Sequence, residues 1–210
     1  MVPAAGVDTP GVHEHDGFYL RVALGFAAMS DRLSADMGDY EGVGRSTGIA
    51  TASELAIGGT PARGLVIGFG VYGSNVVASD FIPDEDTKYD LSAGIPAGVS
   101  LSGANFVLLG PFFDYYLFPT RGYHIQAALG FAALSGTRVG FDQLRVSDND
   151  PALGGGLMFG IGYEWWIGNQ WSLGVLGRFS GAILGHEINN VRWLHVVGVA
   201  PAMLFGITYH

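Results

Sequence analysis

The sequence predicts an all-β fold, an eight-stranded antiparallel up-and-down transmembrane β-barrel, and three observations carry that expectation. Period-2 alternation of side-chain character recurs in segments of about ten or more residues, the length a tilted strand needs to cross a bilayer. The connections between segments alternate between tight turns and long acidic stretches. The two faces of each segment differ in kind: one is bulky and uncharged, the other small with isolated charges.

Composition excludes several alternatives. Hydrophobic residues make up 49% of the 210, yet no window approaches the roughly 18 uninterrupted apolar residues of a membrane-spanning helix. Charged residues are 14%, well under the roughly 25% of soluble domains. Lys88 is the single lysine. A formal net charge of -9 argues against nucleic acid, whose phosphates select basic surfaces. With no cysteine there is neither a disulfide framework nor a thiolate site. Residues 1–16 are expected to be a flexible N-terminal segment ahead of a single barrel domain, 17–210. That segment has no basic stretch followed by an apolar one, so it is not a signal peptide; either such a signal has been removed or the chain is not exported.

The elements follow in order. The first strand, 17–28, sets Leu20, Val22, Leu24 and Phe26 against Arg21, Ala23, Gly25 and Ala27. The second, 46–58, carries Ala50, Ala52, Glu54 and Ala56 on its small face. The third, 63–75, shows Leu65, Ile67, Phe69 and Val71 on its bulky face. The fourth and fifth, 104–118 and 121–134, flank the turn Pro119-Thr120; the sixth, 155–167, alternates Phe159, Ile161, Tyr163, Trp165 and Ile167 with Gly160, Gly162 and Glu164. After Gly168-Asn169 the seventh, 170–184, presents Ser172, Gly174, Arg178 and Ser180, and the eighth spans 192–209. Gly59-Thr60-Pro61-Ala62 reads as the first tight turn. Residues 29–45, 76–103 and 135–154 read as long loops, and 185–190 as a short one.

The small face decides which way the barrel is turned. In a soluble sandwich the outer face is rich in Lys, Thr and Glu, and a Gly/Ala face has no place there. Inside an eight-stranded barrel it belongs, because the interior has room only for side chains, and the bulky face then meets lipid. Outward-pointing Tyr115, Tyr123, Trp165, Trp171 and Tyr209 all lie near a short turn or the C-terminus, as one aromatic girdle at a membrane interface. Trp193 and Tyr72 fall toward the opposite end, where the girdle is thinner.

Inward parity collects Arg21, Glu54, Asp114, His124, Gln126, Glu164 and Arg178. Counted from the short turns, Arg21, Glu54, Asp114, His124 and Glu164 share a depth. A register with Tyr116 opposite His124 sets Asp114 opposite Gln126, able to hydrogen-bond across the strands. Buried charges persist mainly when paired, so the expectation is a lumen charge network that plugs the barrel. A conducting path is the sharper alternative, since intramembrane ionisable groups are functional candidates. Because carboxylates outnumber arginines in the belt, Glu164→Gln is expected to be mild.

Other motifs carry less. Gly68-Phe69-Gly70-Val71-Tyr72-Gly73 matches a dinucleotide fingerprint as a string, but that fingerprint needs a following helix, and an acidic loop follows instead. No cofactor is expected. No catalytic set is expected: His195 has no serine two residues away on its face, and His124 has Gln126 beside it. The loop acids, among them Asp31, Asp36, Asp39, Glu41, Asp80, Asp84, Glu85 and Asp86, match no calcium-loop spacing and read as solvated surface. No metal site is expected among the side chains of the barrel. Divalent cations bridging these loops to lipopolysaccharide phosphates are the one ion-binding role considered.

By its strand count, loop asymmetry, girdle and C-terminal strand Met203-Leu204-Phe205-Gly206-Ile207-Thr208-Tyr209-His210, the chain resembles the superfamily of small outer-membrane barrels that includes the OmpA transmembrane domain, OmpX and OmpW. Members usually end in an aromatic residue; here Tyr209 is penultimate. The resemblance implies a bacterial outer-membrane location with long loops outside. Its implied partners are outer-membrane lipid and lipopolysaccharide, and the barrel-assembly machinery during insertion. The function expected is a non-enzymatic integral barrel with a plugged polar lumen and a structural or surface-binding role. A narrow pore for ions or small apolar solutes is the alternative, followed by a lipid-A-directed hydrolase and a soluble lipocalin-like barrel.

Overall fold

Lipid offers no partner to a backbone N–H or C=O, so a sheet that crosses a membrane must close on itself. The computed structural model describes residues 15, 17–36, 41–83, 104–118, 121–135, 151–188 and 192–210. They form β1 (Phe18–Asp36), β2 (Glu41–Ala62), β3 (Leu65–Pro83), β4 (Asn105–Phe118), β5 (Arg121–Ser135), β6 (Ala152–Trp166), β7 (Trp171–Ile188) and β8 (Arg192–Tyr209). Each strand pairs antiparallel with its neighbours in sequence, and β1 pairs with β8 to close the barrel.

Several strands run past the ends that alternation predicts. β1 continues to Asp36, β2 starts at Glu41, β3 reaches Pro83 and β7 reaches Ile188. The apolar half of the alternation stops where lipid stops, but the hydrogen-bonded ladder needs no lipid and continues beyond it. Part of the expected loop 29–45 is therefore a long hairpin, and Asp36, Glu41 and Asp80 are strand positions. Asp31, expected on a solvated surface, lies in β1 and is buried in the lumen. The first tight turn is also displaced: β2 runs on through Ala62, which pairs with Leu65 across Arg63 and Gly64. Gly64 has φ 76°, the left-handed conformation such a two-residue turn requires and glycine adopts without strain. The remaining parts of the acidic loops, with Asp39, Asp84, Glu85 and Asp86, lie outside the described residues.

Face assignment follows the predicted parity. Along β4, Phe106, Leu108, Phe112, Asp114 and Tyr116 are buried while Val107, Leu109, Phe113, Tyr115 and Leu117 are exposed. The outside is bare and apolar all round: Leu24 is 65% exposed, Phe26 70% and Phe131 82%. A continuous band of this kind is stable against lipid and not against water. The fold is a membrane barrel, and the bulky side faces out.

Two outcomes check this. The purified protein should require detergent and migrate faster on a gel before boiling than after; equal migration together with solubility in plain buffer would contradict it. Phe69→Arg, in the lipid-facing band, should cost about 2–4 kcal/mol in urea unfolding from a bilayer, and Tyr209→Arg, at the interface, about 0–1 kcal/mol.

Candidate functional site

The lumen has two tiers. Toward the short turns it is polar, with contributions from every strand. Toward the other end, Met29, Phe106, Leu134 and Leu184 line a narrow cleft, partly open to solvent, with Asp31 and Ser180 as its polar members.

Arg21 on β1 is the centre of the polar tier. Its guanidinium reaches across the barrel to Glu164 Oε1 on β6 at 2.7 Å and Asp114 Oδ2 on β4 at 3.0 Å, with Glu54 on β2 at 3.8 Å. The Asp114 contact lies off the line a hydrogen bond needs, so it is an ion pair by proximity. Arg21 also donates to Tyr116 OH at 3.1 Å and, through Nε, to Thr208 Oγ1 at 3.2 Å. Glu164 is the matching hub: Thr208 donates to Oε1 at 2.6 Å, Ser172 to Oε2 at 2.7 Å and Tyr116 to Oε2 at 3.1 Å. Tyr19 OH donates to Asp114 at 3.1 Å, and His124 Nδ1 lies 2.8 Å from the other Asp114 oxygen.

Arg178 on β7 forms a second centre. It donates to the carbonyls of Ser53 and Gly73 at 2.9 and 3.0 Å and stands 3.7 Å from Glu54 Oε2. Its guanidinium also faces the Tyr72 ring at 5.8 Å. Gln126 donates to Glu54 Oε1 at 2.9 Å. Two guanidinium groups thus face three carboxylates, Glu54, Asp114 and Glu164.

Glycines make the room. His124 pairs with Gly162 across β5 and β6, and a Cβ at Gly162 would collide with the imidazole. Glu164 pairs with Gly174, where a Cβ would come within 2.9 Å of Glu164 Cγ. This is why the small face reads Gly and Ala beside its isolated charges.

At the short-turn mouth two histidines close the set. His15 precedes β1 and is fully buried, its ring stacked on Tyr116 at 3.5 Å and Trp166 at 4.9 Å. His210 follows β8, with Nε2 3.1 Å from Glu164 Oε2 and 3.3 Å from His15 Nδ1. Burial, reinforced by the neighbouring His210, pushes the His15 imidazole down to about 3.

All seven network residues expected from parity are thus buried and within one connected set. The register places Asp114 opposite Gln126 and Tyr116 opposite His124, but the bonds differ from the expectation: Gln126 serves Glu54, and His124 serves Asp114 diagonally. Tyr72 is no interface residue; it is buried beneath Arg178. Tyr19 and Thr208, which inward parity marks but the charge pattern does not, also belong to the network, as do Tyr116 and Ser172, already inward by parity. His15 and His210 lie outside the strands, where parity says nothing. The side chains of His195 and Trp193 lie outside the described residues. The girdle residues Tyr115, Tyr123, Trp165 and Trp171 are exposed on the outer face, and Tyr209 OH donates to Gln170 at 2.8 Å. Tyr163 joins them, 4.4 Å from Tyr123 and 4.7 Å from Trp165 between ring centres.

The geometry reverses one expectation about substitutions. Glu164→Gln replaces an oxygen that accepts several hydrogen bonds with an amide that donates, so it is not mild; each stranded buried donor costs about 1–3 kcal/mol. Arg21→Ala should cost about 3–5 kcal/mol, since it leaves Glu164 and Asp114 uncompensated. Glu54→Gln should cost less than either, because neither arginine approaches Glu54 closer than 3.7 Å. Urea midpoints of the three variants check the order.

No family model matches the chain, and no curated protein matches its sequence. Solved structures do. The barrel is similar to the outer membrane protein OprG from Pseudomonas aeruginosa, at 12% identity over 95% of this chain and 99% of that one, with a TM-score of 0.47. It is similar to the outer membrane protein AlkL, solved in DMPC lipid bilayers, at 12% identity over 93% and 90%, TM-score 0.45. It is also similar to the outer membrane protease OmpT from Escherichia coli, at 9% identity over 92% and 96%, TM-score 0.41. These three solved structures are of outer-membrane proteins, and the likeness is one of fold.

Proposed function

We propose that the protein is an integral barrel of the bacterial outer membrane, long loops outside, with a lumen closed at the short-turn end and a structural or surface-binding role. The observation that carries this reading is the Arg21 side chain crossing the lumen to Glu164 and Asp114. A continuous water path would have to break those contacts, and breaking one strands a buried charge. The surfaces left for partners are the lipid-facing band and the outer rim, where lipopolysaccharide and divalent cations at the loop acids are the partners proposed.

A non-enzymatic role is part of this reading. Ser172 Oγ lies 3.3 Å from His210 Nε2, yet Ser172 donates to Glu164 at 2.7 Å and both are buried in the floor of the lumen. A lipid substrate on the outer face does not reach them.

One observation favours a second reading, a path for small apolar solutes: the tier above the network is apolar, lined by Met29, Phe106, Leu134 and Leu184. The two readings separate in one experiment. Recorded in a planar bilayer, the parent should be silent and Arg21→Ala should leak; steady conductance in the parent, with selectivity altered by Arg21→Ala, overturns the closed lumen. Uptake of a small apolar dye by proteoliposomes while the parent stays electrically silent supports the second reading.

A further inference from the structure

The two histidines at the short-turn mouth lie beside the Arg21–Glu164 contact that carries the closed-lumen reading, and their geometry is that of ligands. One ligand atom from each of His15, His210 and Glu164 lies within 4.8 Å of the other two. Adjacent pairs are 3.3 Å apart, His15 to His210, and 3.1 Å apart, His210 to Glu164. Ligands at about 2.0–2.2 Å from a tetrahedral ion stand about 3.3 Å apart, which these two spacings match, and the 4.8 Å bound leaves the third pair to close by about 1.5 Å at most. We propose that His15, His210 and Glu164 form a site for one divalent transition-metal ion of the zinc type, which clasps the segments flanking β1 and β8 at the seam where the barrel closes.

Four features support the assignment independently of spacing. Two imidazoles and one carboxylate form a nitrogen-rich set of borderline softness, suited to zinc, cobalt or nickel and not to calcium or magnesium. The rings are already oriented, His15 by its stack on Tyr116 and His210 by edge contacts to Tyr116 and His15. Glu164 is held by Arg21 and Thr208 on Oε1, and its Oε2, which accepts from Ser172 and Tyr116, faces His210, so an ion would take the place of one of those two donors. Ser172 Oγ, 3.3 Å from His210 Nε2, is placed to complete the coordination or to hold a water that does.

The site shares Glu164 with the Arg21 centre, while His15 and His210 belong to neither the Arg21 nor the Arg178 ion pairs. Its consequence is mechanical. β1 and β8 meet only by barrel closure, and an ion held by the residue three before β1 and the residue after β8 ties that seam to β6.

The test uses full-length protein purified without a polyhistidine tag, folded in detergent and stripped of metal with a chelator. Titrated with Co²⁺ alone, the parent should bind one equivalent and develop the visible absorption of low-coordinate cobalt, displaced by Zn²⁺. His15→Ala, which removes no partner of an Arg21 ion pair, should lower affinity by about 10–100-fold or more while keeping its heat-modifiable migration. His210→Ala should do the same, and His195→Ala should not. In the parent, Zn²⁺ should raise the urea midpoint, and in His15→Ala it should not. Absence of saturable Co²⁺ binding in the folded parent would overturn the proposal, as would unchanged affinity in folded His15→Ala.

Discussion

Closing eight strands on themselves is the constraint from which the rest of this structure follows. Closure satisfies every ladder in a solvent that satisfies none, and it leaves an interior only as wide as the side chains that fill it. Each large inward side chain therefore needs a small one across from it. His124 faces Gly162 and Glu164 faces Gly174, so the Gly/Ala face is the space into which the polar network is packed. The bulky residues, excluded from so narrow a lumen, go outward, and lipid receives them.

The division of the lumen into a polar floor and an apolar upper tier has an electrostatic cause. A guanidinium taken from water into a barrel is tolerated only where charges and hydrogen-bonding groups surround it. Arg21 meets that condition at one depth, where Glu164, Asp114, Tyr116 and Thr208 converge. Arg178 meets it by a different route, through two backbone carbonyls with Glu54 nearby. The upper tier contains no such convergence and is lined by Met29, Phe106, Leu134 and Leu184. A barrel built this way is lined at one end by charge and at the other mainly by apolar side chains.

Much of the network was legible along the strands. Parity is local, so Arg21, Asp114, His124 and Glu164 could be assigned to the inside, and counting from the turns gave their common depth. Hydroxyls were as legible as charges; Tyr116 and Thr208 share the parity of Asp114 and of Ala202 and Leu204, and both prove to be members. Outside the ladder nothing of the kind holds. His15 and His210 enter the site through the turn-side mouth, where chain direction is set by packing on Tyr116 and Trp166.

The sequence by itself determined the strand count, the alternation of faces, the membrane-facing surface and the membership of most of the buried polar set. Each of these depends on a residue and its neighbours two positions away, or on the chemistry of a turn. Only the tertiary structure decided where strands end beyond the lipid, and that the hairpin turns at Arg63-Gly64 instead of Gly59-Thr60-Pro61-Ala62. It also decided which polar groups bond: Gln126 to Glu54 rather than to its opposite neighbour Asp114, and Tyr72 against Arg178. The physical reason is the tilt and stagger of a closed barrel. Contacts across the lumen join strands that are not adjacent in the sheet, and their relative height is set by closure of the whole ring, which no single strand encodes.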